Sequence, residues 1–393
     1  MDIISPSYYF TKVDPDYSIK GSRDPLGFQV VWQQQGRQLI PFLSTVSGNL
    51  QDFQILCLAH YLYGSERDLD SKFFIRFEQL MSYVRLIKHP GTGFNGISRT
   101  GMKLKNAKRV SLSNTPGDEL LSNQRAYGIW GKYSRPFRDI GFTKDAAFKS
   151  TFRQKTENNP AKEEFKKLFS KIKERDSTKI EITELDSANS LLDYSKTELE
   201  FYDRLILKVD RANPWQNYLY DFLNAQPQSS EFVLYPFLKS FGNSSFVKGT
   251  DLQRILLDIE NTEKILSPLN RIFRYIQTKP LWTRDEILTD EIIHSMKSMP
   301  DYLFPLTEQG KLKNYLLLTL QKDNWSLIED LVKRNLEVTK WRGGAPWLTI
   351  SGSIVEVHEG DGGFVFPDYN PQMDNDNYYF LDTYRNLFKQ IHG

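Results

Sequence analysis

NLQDFQILCLAHYLYG (residues 49–64) and SKFFIRFEQLMSYVRLIKH (residues 71–89) decide the fold class. In the first, Phe53, Leu56, Ala59 and Leu62 recur at spacings of three, with Asn49 as a cap and Gly64 as a stop. In the second, Phe74, Phe77, Leu80, Val84 and Ile87 share one face, and Pro90 and Gly91 end the run. The same three-four spacing continues through residues 160–175, 184–209, 213–225, 249–279 and 307–338. A mainly α protein is therefore expected. No repeat of fixed period occurs, which argues against a solenoid.

Small β elements are expected near both ends. GFQVVWQQQGRQLIPFLSTVSGN (27–49) reads as a short strand, a turn at Gly36 and a second strand or irregular segment, because it is rich in β-branched and aromatic residues. Residues 90–118, with five glycines and two prolines, read as a long loop or β-ribbon. Asp118 is the expected N-cap of the next helix, and Gly131, Pro136 and Gly141 imply short helices joined by turns. PWLTISGSIVEVHEGDGGFVF (346–366) alternates like a β-hairpin turning at Gly-Asp-Gly-Gly. NYYFLDTYRNLFKQIHG (377–393) carries Tyr379, Tyr384, Leu387, Phe388 and Ile391 along a docked closing helix. The expected organisation is a multi-lobed α+β chain in three parts. Residues 1–158 form a mixed domain with a basic loop, 159–340 a helical domain, and 341–393 a β-hairpin and closing helix packed on the helical domain.

Composition narrows the class of molecule. The 393 residues are 39% hydrophobic and 25% charged, which excludes wholesale disorder and a collagen-like chain. A net charge of +2 excludes a uniformly polybasic coat. The lone cysteine, Cys57, lies in the apolar run FQILCLAHYL, reads as a buried helix face and fits a reducing compartment. The N-terminal stretch has no basic segment followed by an apolar one, and apolar runs such as YLLLTL fall short of the ~20 residues that span a bilayer. A cytoplasmic protein without a membrane segment is expected.

Charge is distributed unevenly. Between Ser98 and Lys155 stand thirteen basic and four acidic residues, a balance of +9 in a chain whose total is +2. Clustered Lys and Arg bind phosphate backbones by counterion release, and Gly91, Gly93, Gly96 and Gly101 would let backbone N–H groups approach phosphate. Arg99, Lys103, Lys105, Lys108 and Arg109 are candidates for one phosphate-gripping row. Arg125, Lys132, Arg135 and Arg138 are candidates for a second, more rigid row. A solvated face or an acidic protein partner would produce the same asymmetry. Trp130 and Phe137, at roughly helical spacing, read as core anchors ahead of base-stacking platforms.

Signals for chemistry are weak. The histidines His60, His89, His294, His358 and His392 lack zinc-site spacing, and His60 reads as a core or boundary residue. Glu356, His358, Glu359 and Asp361 could hold a divalent ion if another carboxylate approached, but a polar strand face beside an acidic turn is the favoured interpretation. No metal site or cofactor is therefore expected. Neither a Walker A sequence, a dinucleotide fingerprint nor a nucleophile elbow occurs. Glu337 and Lys340 in LEVTK read as a helical pair.

YGIWGKYSRPFRDIGF (127–142) and LFPLTEQGKL (303–312) resemble pieces of winged-helix proteins, a helix-turn-helix and a Leu-Thr-x-x-Gly segment entering a helix. RGGAPWLTISGSIVEVHEG (342–360) followed by YYFLDTYRNLFKQI (378–391) is similar to the ends of large uncharacterised proteins of bacterial phage-defence and DNA-modification loci. This resemblance implies a non-catalytic DNA-engaging subunit working with a separately encoded ATPase or nuclease. The expected role is thus a nucleic-acid-binding or scaffolding subunit of a multi-protein bacterial system, with DNA preferred to RNA. Two alternatives stay open: an adaptor that docks an ATPase or nuclease without touching nucleic acid, and an enzyme whose site is scattered through the chain.

Overall fold

The computed structural model describes residues 24–64, 69–208, 214–226, 231–297, 300–358 and 374–393. In chain order its helices begin with α1 (Gln29–Leu39), α2 (Leu50–Tyr63), α3 (Ser71–Lys88) and α4 (Ile97–Leu104). Then come α5 (Gln124–Tyr127), α6 (Ile129–Ile140), α7 (Phe148–Glu157), α8 (Lys162–Glu174), α9 (Lys196–Tyr202) and α10 (Pro214–Asn224). The rest are α11 (Leu234–Gly242), α12 (Asp251–Ile276), α13 (Arg284–Leu288), α14 (Glu291–Met296), α15 (Glu308–Gln321), α16 (Asn324–Arg342) and α17 (Leu381–His392). Strands β1 (Arg109–Ser113) and β2 (Ser177–Glu181) form an antiparallel ribbon. Strands β3 (Leu281–Thr283), β4 (Leu348–Ser351) and β5 (Ile354–Val357) form a second sheet in the order β3-β5-β4. The protein is mainly α with a small β component, as its periodicity requires, and it carries the C-terminal hairpin and closing helix. Among the described residues no helix is long and apolar enough to cross a membrane.

The chain falls into two compact units, each assembled from separated stretches. Among the described residues, one comprises those within 1–34, 233–238 and 254–377, and the other those within 35–232, 239–253 and 378–393.

The second unit is built around α2 and α3. Asn49 caps α2 by accepting from the Gln51 N–H, and Gly64 ends it. Leu50 through Ala59 are buried all round, which is how a helix in the middle of a core behaves. Phe73 through Arg85 of α3 are buried likewise, including Arg76, Glu78, Gln79, Ser82 and Arg85. Each of these five side chains has at least one partner, as burial demands, although Glu78 Oε2 and the neighbouring Tyr83 hydroxyl have none among the described residues. Arg76 donates to the Ile172 carbonyl at 3.2 Å, Ser82 to the Glu78 carbonyl at 2.7 Å, and Arg85 meets Asp52 at 2.8 Å. The Gln79 amide both donates to and accepts from the Ser113 backbone, at 2.8 and 3.0 Å, and so fastens β1 to α3.

A buried ion pair ties α7 to α9. Lys155 Nζ lies 2.6 Å from Glu198 Oε2, with side chains 4% and 0% exposed. Glu198 Oε1 also accepts from Gln54 Nε2 at 2.9 Å and from the Tyr202 hydroxyl at 3.0 Å. Cys57 belongs to the same core, fully buried, and its thiol is pushed well up by burial and the nearby Glu198. A thiol held neutral and inaccessible should not react with Ellman's reagent until the protein is denatured. Fast titration of one thiol in native buffer would contradict this burial.

Glu78 shows a different electrostatic design. Its Oε1 accepts from the Ile129 N–H at 2.8 Å, and it occupies the notch left by Gly128, where any Cβ would strike the carboxyl. Burial pushes the carboxyl up to about 8, although that backbone N–H acts in the opposite direction. A carboxyl raised on folding contributes stability that is full below its ordinary value and lost as pH climbs through about 8. Glu78→Gln should therefore flatten this loss, so that melting temperatures of parent and variant diverge from pH 5 to 9. Parallel curves would refute the assignment.

In the other unit, Asn335 is fully buried and joins three segments. Its amide donates to the Pro25 carbonyl at 3.0 Å and accepts from the Trp347 N–H at 2.9 Å. Trp282 of β3 donates to the Ile276 carbonyl at 2.7 Å, and Thr283 with Glu286 forms a capping box for α13. Lys313 of α15 reaches Asp258 of α12 at 2.7 Å. Glu263 accepts from the N–H groups of Asp376 and Asn377 at 2.7 and 2.9 Å, pinning that segment to α12.

Several local expectations are corrected. The strand expected at 27–36 is α1, because Val31, Trp32, Gln35 and Leu39 bury at helical spacing despite the strand preference of Val and Trp. Within 90–118 the chain forms α4 and β1. Asp118 does not cap a helix: it accepts from the hydroxyls of Ser111, Ser113 and Thr115 at 3.0, 2.6 and 3.2 Å, and Asn123 caps α5 instead. Helix α6 continues through Gly131 and Pro136 to Gly141, whose φ of 80° ends it. Gly131 sits in the first turn, where backbone N–H groups lack helical partners anyway, so its cost is small. The C-terminal hairpin turns at Gly352 (φ 60°) between β4 and β5, while the Gly-Asp-Gly-Gly segment lies outside the described residues. Tyr379 and Phe380 precede α17 with φ of 54° and 65°, and both are buried.

Candidate nucleic-acid interface

All nine basic candidates belong to the unit around α2 and α3, but they do different things. Arg99 and Lys103 of α4 turn inward on the 117–119 segment. Arg99 donates to the Glu119 carbonyl at 3.2 Å and Lys103 to the Gly117 carbonyl at 2.9 Å. Partial burial lowers the Lys103 ammonium, offset in part by Asp118. These two side chains brace a loop. Lys105 and Lys108 are exposed and make no ion pair among the described residues, while Arg109, also exposed, pairs with Glu181 across the ribbon.

The second row is more regular. Helix α6 buries Ile129, Tyr133, Pro136, Phe137 and Ile140. Tyr133 accepts from the Asn49 N–H at 3.1 Å, and Phe137 stacks on His60 at 4.5 Å between centroids. Lys132, Arg135 and Arg138 occupy positions i, i+3 and i+6 of the opposite face, one ridge of a helix. The Arg135 and Arg138 side chains are 70% and 75% exposed and share Asp139 at 3.4 and 3.6 Å. A shared, screened carboxylate of this kind costs little to displace. Arg125 on α5 is exposed as well, beside Tyr127, which is 47% exposed. Trp130 is half-buried against Phe74 at 5.5 Å, so the aromatic content of this stretch is mostly anchoring, with Tyr127 the exception.

The structure brings Lys132, Arg135 and Arg138 into one row and leaves the α4–β1 residues on a separate neighbour of α3. Other members of the basic window are consumed structurally: Lys155 is the buried partner of Glu198.

Sequence inspection missed a cleft of about 760 Å³ on this same unit, formed by the end of α2, the end of α7 and one face of α8. Lys162, Lys166, Phe169 and Lys173 follow each other at spacings of four, three and four along α8, so they form one row. The basic window stops at residue 155, short of that row. The legible signal was an aromatic residue set within the polar face of an amphipathic helix.

The metal reading finds no added support. His358 Nε2 is 2.7 Å from the Thr349 hydroxyl, Glu356 is exposed on β5, and Glu359 and Asp361 lie outside the described residues. Among the described residues no group of three or more His, Cys, Asp or Glu is placed to hold a metal ion. Glu337 and Lys340 lie within α16. The two segments resembling winged-helix pieces fall in different units. Set against known proteins, the chain matches no family model, no curated protein and no solved structure.

Proposed function

We propose that this chain is a cytoplasmic nucleic-acid-binding subunit of a multi-protein bacterial system, of the kind found in phage-defence loci, and that it engages DNA in preference to RNA. The observation that carries this reading is α6: its aromatic face is rooted in the core while exposed Arg135 and Arg138, with half-buried Lys132, stand in one row. A rigid row of cations holds its geometry without ordering flexible chain, so little entropy opposes contact with a phosphate backbone. Lys105, Lys108, Arg109 and Arg125 add exposed positive charge on the same unit. The partial resemblance to proteins of DNA-modification loci points the same way. The test is binding of the full chain to labelled duplex DNA and RNA across a salt series. Affinity that falls steeply with salt supports the reading, and flat, negligible binding removes it.

A second reading has its own observation. On the other unit, Val31, Leu312 and Val338 line an apolar groove of about 400 Å³ beside Val30 and Trp341, which are 58% and 77% exposed. Apolar surface of this kind suits a protein partner. A complex with an ATPase or nuclease that forms without nucleic acid and is lost on Trp341→Glu would favour the adaptor role.

A further inference from the structure

We infer that the cleft between α2, α7 and α8 seats an unpaired nucleotide of a single strand. This rests on the nucleic-acid reading above and specifies the form of the strand. Three observations converge. First, Tyr61, Tyr63 and Phe169 line the cleft and are only half-buried, so part of each ring borders the open space. Phe169 is held edge-on by Phe73 at 5.6 Å, and Tyr63 packs on Phe73 at 4.9 Å, which fixes the platform before any base arrives. Second, Lys149, Lys162, Lys166 and Lys173 line the same cleft against one carboxylate, Glu157. Lys149 is exposed without an ion pair among the described residues. Lys173 donates to the Tyr63 carbonyl at 3.2 Å and lies 5.4 Å from the Tyr63 ring centre. Lys162 and Lys166 hold Glu157 and Glu163 in contacts at the solvent boundary that phosphate could replace. Third, a cavity of about 760 Å³ lies within the range of roughly 300–1,000 Å³ typical of small-ligand sites.

The chemistry selects the ligand. Stacking on tyrosine and phenylalanine favours a flat π-surface, and ammonium groups around it favour an adjoining anion. A nucleotide supplies both, and in a duplex its base faces are already covered by stacking. An acidic peptide supplies the anion but offers no comparable flat surface at every residue, and it becomes an arm of the test.

Full-length protein and the surface variant Lys149→Glu/Lys166→Glu would be titrated against labelled oligo(dT), a duplex of equal length and a poly-glutamate peptide. Both lysines are exposed, so the variant should keep the parental melting temperature, which is checked first. The expected result is a loss of roughly tenfold or more in oligo(dT) affinity, with duplex binding much less affected. Photo-crosslinking with iodouracil-substituted oligonucleotide should map to Tyr61, Tyr63 or Phe169. Unchanged oligo(dT) affinity, or crosslinks confined to α5 and α6, overturns the cleft while leaving duplex binding by α6 intact. Oligo(dT) binding lost in this variant but kept by an α6 charge-reversal variant supports the cleft even if the duplex reading fails. Poly-glutamate binding as tightly as oligo(dT) overturns it in favour of a peptide site.

Discussion

Lys155→Met is expected to destabilise the protein by about 3–5 kcal/mol, the cost of leaving a buried charge without its partner. Glu198 is fully buried, and among the described residues that contact it only Lys155, at 2.6 Å, brings a full positive charge. Methionine fills much the same volume, so the loss reports the charge and not a cavity. The double variant Lys155→Met/Glu198→Leu should recover part of it, because removing both charges also removes both desolvation costs. The recovery stays incomplete, since Gln54 and Tyr202 lose an acceptor. Urea denaturation of the three proteins, with exposed Lys149→Met as a control expected within about 0.5 kcal/mol of the parent, measures this directly. A single variant as stable as the control would mean that the pair is solvated.

The second large effect concerns function. Charge reversal of Lys132, Arg135 and Arg138 to Glu should weaken duplex binding on the order of a hundredfold at physiological salt. Each phosphate contact contributes about 0.9 to the slope of log affinity against log salt, or about fivefold in affinity at 0.15 M relative to 1 M. The slope should accordingly fall by nearly three. Because the row stands opposite the buried face of α6, melting temperature should change little. Arg99→Ala and Lys103→Ala make a revealing contrast. Their donors are spent on the carbonyls of Glu119 and Gly117, so they should loosen that loop and leave the salt slope nearly unchanged. An unaltered slope in the triple variant would remove α6 from the interface.

What could be read beforehand follows from where side-chain period and backbone chemistry agree. Helices α2 and α3 announced themselves because their apolar spacing, the Asn49 cap and the Gly64 stop all specify the same element. Helix α1 was misread because Val30, Val31 and Trp32 favour strands intrinsically, and packing of Phe28, Val31 and Leu39 overrode that preference. Asp118 looked like a cap because its type suits one, yet it accepts instead from three hydroxyls that precede it, those of Ser111, Ser113 and Thr115. Charge clustering singled out the residues of the α6 row, but not the unbroken helix that aligns them, because Gly131 and Pro136 suggested breaks. The cleft was not legible, since Tyr61, Lys149 and Phe169 are brought together only by the packing of three helices.

By itself, then, the sequence determined the helical class, the buried thiol at Cys57 and the closing helix, all of which depend on neighbours within a few turns. Only the tertiary structure decided which charges are available. Arg85, Lys155 and Glu78 have the composition of surface residues, yet each is buried against a specific partner, while Arg135 and Arg138 remain in solvent. The physical reason is that a charge is left in water or taken into the core according to whether a complementary group meets it there, and that group comes from a distant part of the chain.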